Sequence, residues 1–152
     1  QLQFDAELLF VANMLHGLGL TEYARPSSEV PCFAVSGARA AHAFLLTEHV
    51  PETRALAVAD SICQLINPAP WLSRSALTQL LAAGFALDTI GVRKHELSAS
   101  LRAEVLRQQP RGGFAAEFGC SLGAHINSWP NTRSAVLERY CQLLRRIARG
   151  GV

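Results

Sequence analysis

Apolar residues recur every three or four positions through most of this chain, and short breaks rich in glycine, proline and serine separate the runs. This period is typical of amphipathic helices, whereas a half-buried strand would alternate polar and apolar residues. No segment shows clean strand alternation. With 152 residues, the chain has the length of one domain and can bury about two-thirds of its unfolded surface. We therefore predict a single all-α domain over residues 1–152, a compact bundle of about seven helices.

Glycine, proline and capping residues mark the ends of the predicted helices. The first apolar helix covers residues 4–15, is expected to be largely buried, and ends at Gly17 and Gly19. A loop over residues 21–32 follows, which we interpret as a flap over whatever His16 faces. Ser36 is the predicted cap of a helix over residues 38–47, and Pro51 opens the next helix, over 51–66, which Pro68 and Pro70 end. Ser73 is the predicted cap of a helix over 74–87, and Ser98 that of a helix ending at Pro110. A weaker helix is predicted over 114–124, and Asn131 is the predicted cap of the last helix.

Charge and hydropathy exclude several classes of function. The net charge of +2 is small and evenly spread, so we expect no nucleic-acid partner. No apolar run approaches the length of a membrane span, so we expect no membrane partner either. The hydrophobic fraction of 49% favours a large core or a homodimer interface. Four cysteines without short paired spacing indicate a reducing, cytoplasmic location, and the non-methionine start at Gln1 indicates a missing upstream segment.

Three polar residues occupy helix positions at which the apolar pattern predicts burial. His16 lies seven positions after Leu9, Asp88 lies seven after Leu81, and Asp60 falls on the predicted inward side of its helix. A buried carboxylate without partners is costly, so both aspartates should find donors or line a polar cavity. Each residue alone is more readily explained as a structural group, but the three together indicate a site.

Six sequence blocks follow one another along the chain: FDAELL at 4–9, ANMLHGLGLT at 12–21, VSGARAA at 35–41, DSI at 60–62, GFALDTIG at 84–91 and PRGGF at 110–114. In this order they resemble the HD-domain superfamily, near its cyanamide hydratase-like branch. The resemblance covers most of the chain and implies an all-α, HD-domain-like fold. It also implies a site for one or two divalent metals that activate water to hydrolyse phosphate esters or to hydrate a nitrile.

The resemblance places only part of the family's metal ligands on this chain. His16 matches the second histidine of the ligand set, and Asp88 matches its late aspartate. Gly17 stands where the adjacent aspartate would be, a further histidine would fall near Leu65, and Gln64 beside it is a poor substitute. The first histidine would precede the chain. Because a hydrolytic metal normally needs three or more protein ligands, we expect the metal centre to be lost and no cofactor to be bound.

Without a metal, the resemblance implies that His16 and Asp88 meet in an apolar pocket as a hydrogen-bonded acid–base pair. Such a dyad suits a lyase or isomerase that dehydrates, isomerises or cyclises a small organic molecule. A turn over residues 123–130 is predicted to bring His125 close to Trp129. The residues expected to line the pocket are Asn13, Asp60, Gln64, His125 and Trp129.

Two alternatives remain open at this stage. The chain is a metal-dependent hydrolase or cyanamide hydratase-like enzyme if an upstream segment completes a site for zinc, iron or manganese. It is a ligand-binding or interaction domain without catalysis if the pocket has lost its chemistry altogether.

Overall fold

The secondary structure is helical throughout the part of the chain that the structure, a computed structural model, describes, which is residues 3–67 and 69–150. These residues form eight α-helices and no strand, so the predicted all-α class is confirmed, with one helix more than expected. The helices are α1 (Ala6–Leu15), α2 (Phe33–Thr47), α3 (Glu52–Gln64), α4 (Ala76–Ile90), α5 (Ala99–Gln108), α6 (Phe114–Ser128), α7 (Arg133–Cys141) and α8 (Leu143–Ala148). Short 3₁₀ helices occur at Leu18–Leu20, Glu22–Ala24, Pro70–Leu72 and Lys94–Glu96.

Side-chain caps fix the first residues of three helices. The Asp5 carboxylate accepts hydrogen bonds from the first turn of α1, including one from the Glu7 amide at 3.0 Å. Ser98 caps α5 as predicted, accepting from the Leu101 amide at 3.1 Å. Ser75 caps α4 in the same way. Each cap satisfies amide groups that have no partner within their own helix.

Three predicted caps are wrong by one to four residues. Ser36 lies inside α2, which begins at Phe33, and its hydroxyl donates to the Phe33 carbonyl at 3.1 Å. Ser73 accepts a hydrogen bond from the amide of Ser75, the residue that caps α4. The start of α7 follows Thr132 rather than Asn131. The predicted helix stop at Pro68, like the start of the chain at residues 1–2, lies outside the described residues.

The last two helices also differ from the prediction. The expected single C-terminal helix is broken at Gln142, whose φ of 51° is left-handed. The Glu138 carboxylate accepts from the Leu144 amide at 2.6 Å and so satisfies the start of α8. Helix α6 continues to Ser128, four residues beyond the predicted end. His125 is therefore on a helix and not in a turn.

The core lies between α2, α3, α4, α6 and α8. Its largest fully buried apolar side chains are Phe33, Val58, Ile62, Leu81, Leu122 and Ile147. Helix α1 covers one side of this core with a single face, so the prediction that it is largely buried is wrong. Its only buried residue is Ala12, while Phe10 and Met14 are 66% and 68% exposed.

A contact between two glycines joins the segment after α1 to the start of α2. A Cβ atom on Gly19 would lie 1.8 Å from the Phe33 carbonyl oxygen, and one on Gly37 would lie 2.8 Å from the Gly19 nitrogen. Neither position has room for a side chain. The 3₁₀ turn Leu18–Leu20 is therefore held against α2, which positions the following segment near α6.

No described helix combines the length and the apolar character that crossing a membrane requires.

Candidate ligand-binding cleft

His16 and Asp88 do not form the predicted pair. His16 follows α1, where its Nδ1 lies 2.5 Å from the Asn13 carbonyl oxygen and its ring packs edge-on against Phe85, with centroids 5.5 Å apart. The Asp88 carboxylate instead accepts a hydrogen bond from Arg111 at 3.2 Å. Among the described residues, no hydrogen bond or ion pair joins His16 to Asp88. The two side chains have different hydrogen-bond partners and do not form the expected hydrogen-bonded dyad.

Asp88 lies in a polar contact at the edge of the fold. Its side chain is 48% exposed, whereas that of Arg111 is 19% exposed. The Arg111 guanidinium also stacks on Phe114, 5.3 Å from the ring centroid. The predicted burial of Asp88 is wrong although Leu81, seven residues earlier on the same face, is buried: Asp88 lies in the last turn of α4, which ends at Ile90, and there this face is half-exposed.

The residues that the HD-domain resemblance places at metal positions do not form a ligand set. A guanidinium beside the Asp88 carboxylate supplies a cation where a divalent ion would have to bind. The Nδ1 of His16 lies against the Asn13 carbonyl oxygen, so Nε2 is the ring nitrogen left for a ligand. Over residues 3–67 and 69–150, no group of three or more His, Cys, Asp or Glu side chains is arranged to hold a metal.

The predicted pocket residues on α1 and α3 lie away from any shared site with His125. Asn13 is exposed, and its amide donates to the Leu9 carbonyl at 2.9 Å. Asp60 is exposed and not inward, because Val58 and Ile62 define the buried side of α3. Gln64 is half-buried at the C-terminal end of that helix.

His125 and Trp129 do lie together, along one wall of a cleft with a volume of about 450 Å³. The C-terminal half of α6 forms this wall, and the segment from Gly19 to Pro26 forms the opposite one. Part of the predicted flap therefore borders the cleft, but it faces His125 and not His16. The lining residues are Gly19, Leu20, Thr21, Arg25, Pro26, Ser121, Ala124, His125, Ser128 and Trp129.

The spacing of small residues on α6 leaves room for this cleft. Four cleft residues follow the i, i+3, i+4, i+7 spacing of one helix face, namely Ser121, Ala124, His125 and Ser128. Because Ser121, Ala124 and Ser128 have small side chains, the space beside the His125 imidazole stays open. On the adjoining face, Phe118 and Leu122 are buried in the core. This small and polar stripe is visible in the sequence, although Ser121 and Ser128 are not among the predicted site residues.

His125 is the most unusual group in the cleft. Its side chain is only 7% exposed, and both ring nitrogens are buried without a hydrogen-bond partner among the described residues. The ring packs edge-on against Phe33, with centroids 5.3 Å apart. Burial lowers the pKa of His125 below its ordinary value, which keeps the imidazole neutral near pH 7. A neutral imidazole offers one donor and one acceptor to a partner.

The other polar groups of the cleft carry little net charge. Arg25 is paired with Glu22 at 2.7 Å, and the Thr21 hydroxyl donates to the Leu18 carbonyl at 2.6 Å. The exposed hydroxyls of Ser121 and Ser128 are the nearest additional groups for a ligand. The cleft is therefore suited to hydrogen bonding more than to binding a highly charged molecule.

An apolar cavity of about 230 Å³ has Phe33 in its wall. Its walls include Phe85, Phe118, Leu122 and Ile147, and neither His16 nor Asp88 lines it. The predicted catalytic pair is therefore not in the walls of this apolar cavity. Phe33 is not among the predicted site residues, although it contacts the imidazole and borders the cavity.

Comparison of the chain with models of known protein families, with curated proteins and with solved structures finds no match. The HD-domain resemblance therefore stays a prediction from the six sequence blocks. The functional conclusion depends on the geometry of the cleft.

Proposed function

We propose that this chain binds a small polar organic molecule in the His125 cleft and uses the imidazole as its acid–base group. The observation that carries this proposal is a nine-tenths buried imidazole, with two unpartnered nitrogens, on the wall of a cleft large enough for a small molecule. A buried polar group without a partner costs about 1–3 kcal/mol. A ligand that hydrogen-bonds to either nitrogen recovers part of that cost.

The proposed chemistry is proton transfer in an HD-like helical domain without a metal. The neutral imidazole accepts a proton from a hydroxyl or an acidic carbon of the ligand and returns it to a neighbouring atom. Dehydration, isomerisation and cyclisation require no more than this. Because neither nitrogen is exposed, contact with a ligand requires a small movement of the residues that cover the ring. The proposed reaction class is the lyase or isomerase class expected from the sequence, but the acid–base residue is His125 and not His16.

Two further parts of the proposal have support from the sequence alone. A cytoplasmic location is favoured by four cysteines without paired spacing. A homodimer is favoured by the high apolar fraction of the composition.

A fragment screen tests the binding step. We would record ligand-observed NMR spectra with small hydroxy acids, hydroxy ketones and lactones, using the wild type, His125→Gln and the control His95→Gln. His95 is exposed on the 3₁₀ helix Lys94–Glu96 and does not line the cleft. We expect wild type and the control to bind the same fragments, and His125→Gln to bind them about tenfold more weakly, which corresponds to about 1.4 kcal/mol. Equal binding to all three proteins contradicts the proposal.

Hydrogen exchange tests the catalytic step separately. A bound hydroxy ketone placed in D₂O should exchange its acidic C–H for deuterium faster with the wild type than with His125→Gln. We expect a rate ratio of about 100 or more, which is the usual contribution of a positioned general base. Binding without accelerated exchange would contradict the catalytic half and favour the ligand-binding alternative.

A further inference from the structure

Two cysteines that are distant in the sequence meet at one guanidinium. Cys32 immediately precedes α2, and Cys63 lies in the last turn of α3. The Nη2 atom of Arg133, the first residue of α7, lies 3.7 Å from the Cys32 sulfur and 4.0 Å from the Cys63 sulfur. Because both sulfur atoms lie within 4.0 Å of the same nitrogen, the two thiols are on the same side of the fold and share one cation.

The Arg133 guanidinium is held in place from its other side. Its Nη1 atom donates a hydrogen bond to the side-chain carbonyl of Asn67, in the segment after α3. The residues on either side of Arg133, Thr132 and Ser134, are buried and hydrogen-bonded to each other through their hydroxyls at 3.0 Å. The guanidinium therefore has one nitrogen fixed by an amide and the other directed at two sulfur atoms.

The positive charge of Arg133 is not neutralised by a neighbouring acid. No carboxylate in the described part of the chain lies within ion-pair distance of it. A fixed cation disfavours a metal ion between the two thiols. It favours negative charge on sulfur, which the attacking thiolate carries at the start of thiol–disulfide exchange and which the leaving sulfur acquires. Both cysteines are half-buried and not fully enclosed.

We propose that Cys32 and Cys63 form a thiol pair that reacts with low-molecular-weight disulfides. One cysteine thiolate attacks a sulfur of the reagent, a bond forms between the two, and the first half of the reagent leaves as a thiolate. The second cysteine thiolate then attacks the protein sulfur of this mixed disulfide, and the other half leaves. The two cysteines are oxidised to one disulfide, while the reagent is reduced to two thiols and takes up the two cysteine protons.

The chain contains its own controls for this reaction. Cys120 and Cys141 are more exposed than Cys32 and Cys63, and among the described residues neither accepts a hydrogen bond from a guanidinium. If exposure alone decided the rate, these two would react first. If the Arg133 guanidinium decides the rate, Cys32 and Cys63 react first and end as an internal disulfide, while the exposed cysteines end as mixed disulfides.

The experiment treats the reduced full chain with oxidised glutathione, blocks the remaining thiols with N-ethylmaleimide at intervals, and maps the products by peptide mass spectrometry. We expect the Cys32–Cys63 disulfide to appear before glutathione is found on Cys120 or Cys141. In Cys32→Ser, glutathione should stay on Cys63 as a stable mixed disulfide. Modification of Cys120 and Cys141 while the pair remains reduced would overturn the proposal.

A variant of the cation tests its role without depending on the order of labelling. Arg133→Gln should slow formation of the Cys32–Cys63 disulfide at least fivefold, and Arg133→Lys, which keeps the charge, should restore part of the rate. Circular dichroism of each variant shows whether it is folded. Equal rates in folded Arg133→Gln and wild type would overturn the proposal. If the variants do not fold, the sequence in which the cysteines of the wild type are modified decides whether the proposal holds.

Discussion

The imidazole of His125 links burial to pH dependence at the scale of a single residue. Burial lowers its pKa in the folded chain relative to the ordinary value of 6.5. In the window between the lowered folded value and 6.5, the unfolded state binds more protons than the folded one. Stability is therefore lost as the pH falls through this window, and is fully present above 6.5.

We predict from this sign that acidification destabilises the wild type more than His125→Gln. Urea unfolding at neutral pH and at about pH 5 measures the two losses of unfolding free energy. The glutamine variant should show a smaller loss, because it has no group at this position that titrates in the window. His95→Gln serves as the control and should behave as the wild type. Identical losses in all three proteins would show that His125 is not desolvated as described.

Predicting which polar residues are buried depends on the phase of each helix. Asp60 is placed inward if Leu56 is taken as a core residue, but Leu56 is 45% exposed and the buried stripe of α3 runs through Val58 and Ile62. Periodicity fixes the spacing of a stripe, whereas its direction depends on the neighbouring helices. The pairing of Asp88 with Arg111 also depends on how elements pack together, because the two residues are far apart in the sequence and meet only in the folded chain.

At the scale of elements, the existence of most helices follows from the sequence, but their first residues do not. Ser73 and Ser75 are both good caps, and the one that opens α4 is decided by where the helix packs. Ser36 is a good cap by residue type, yet α2 begins three residues earlier because Phe33 is a core residue. Local preferences of this kind are worth about 1 kcal/mol, which is less than the burial of one large apolar side chain.

The glycine contact between the 3₁₀ turn Leu18–Leu20 and α2 gives the second prediction of stability. Gly19→Ala should lower the free energy of unfolding by about 1–3 kcal/mol or more, because its Cβ would meet the Phe33 carbonyl, a backbone atom that cannot rotate away. Gly17→Ala is the matched control. A Cβ at Gly17 meets no atom within 4 Å, so its effect should stay within about 0.5 kcal/mol.

Chemical denaturation of the two glycine variants measures the difference. The same substitution, two positions apart, changes backbone entropy similarly in both, so the difference reports the contact. If Gly19→Ala is as stable as Gly17→Ala, the 3₁₀ turn does not lie against α2 as described. The residues from Gly19 onward would then not form a wall of the His125 cleft.

At the scale of the whole molecule, Phe33 joins the features on which the proposals depend. Its ring contacts His125 and borders the apolar cavity, and its neighbour Cys32 belongs to the thiol pair. The apolar pattern of the sequence predicts a core in general. It does not predict that one phenylalanine at the start of a helix contacts both the cleft histidine and an apolar cavity, because this depends on how α2, α4, α6 and α8 meet.

We predict that removing this ring affects stability and the cleft together. Phe33→Ala should lower the free energy of unfolding by about 3–5 kcal/mol, whereas Phe10→Ala, at an exposed position, should change it by only about 0.5 kcal/mol. Because a small domain has a total stability of about 5–15 kcal/mol, Phe33→Leu supplies a milder variant that stays folded. In Phe33→Leu the His125 ring loses its aromatic neighbour, so its side-chain NMR signals should shift while those of His95 do not. Unchanged His125 signals in the folded leucine variant would mean that Phe33 does not contact the His125 ring as described.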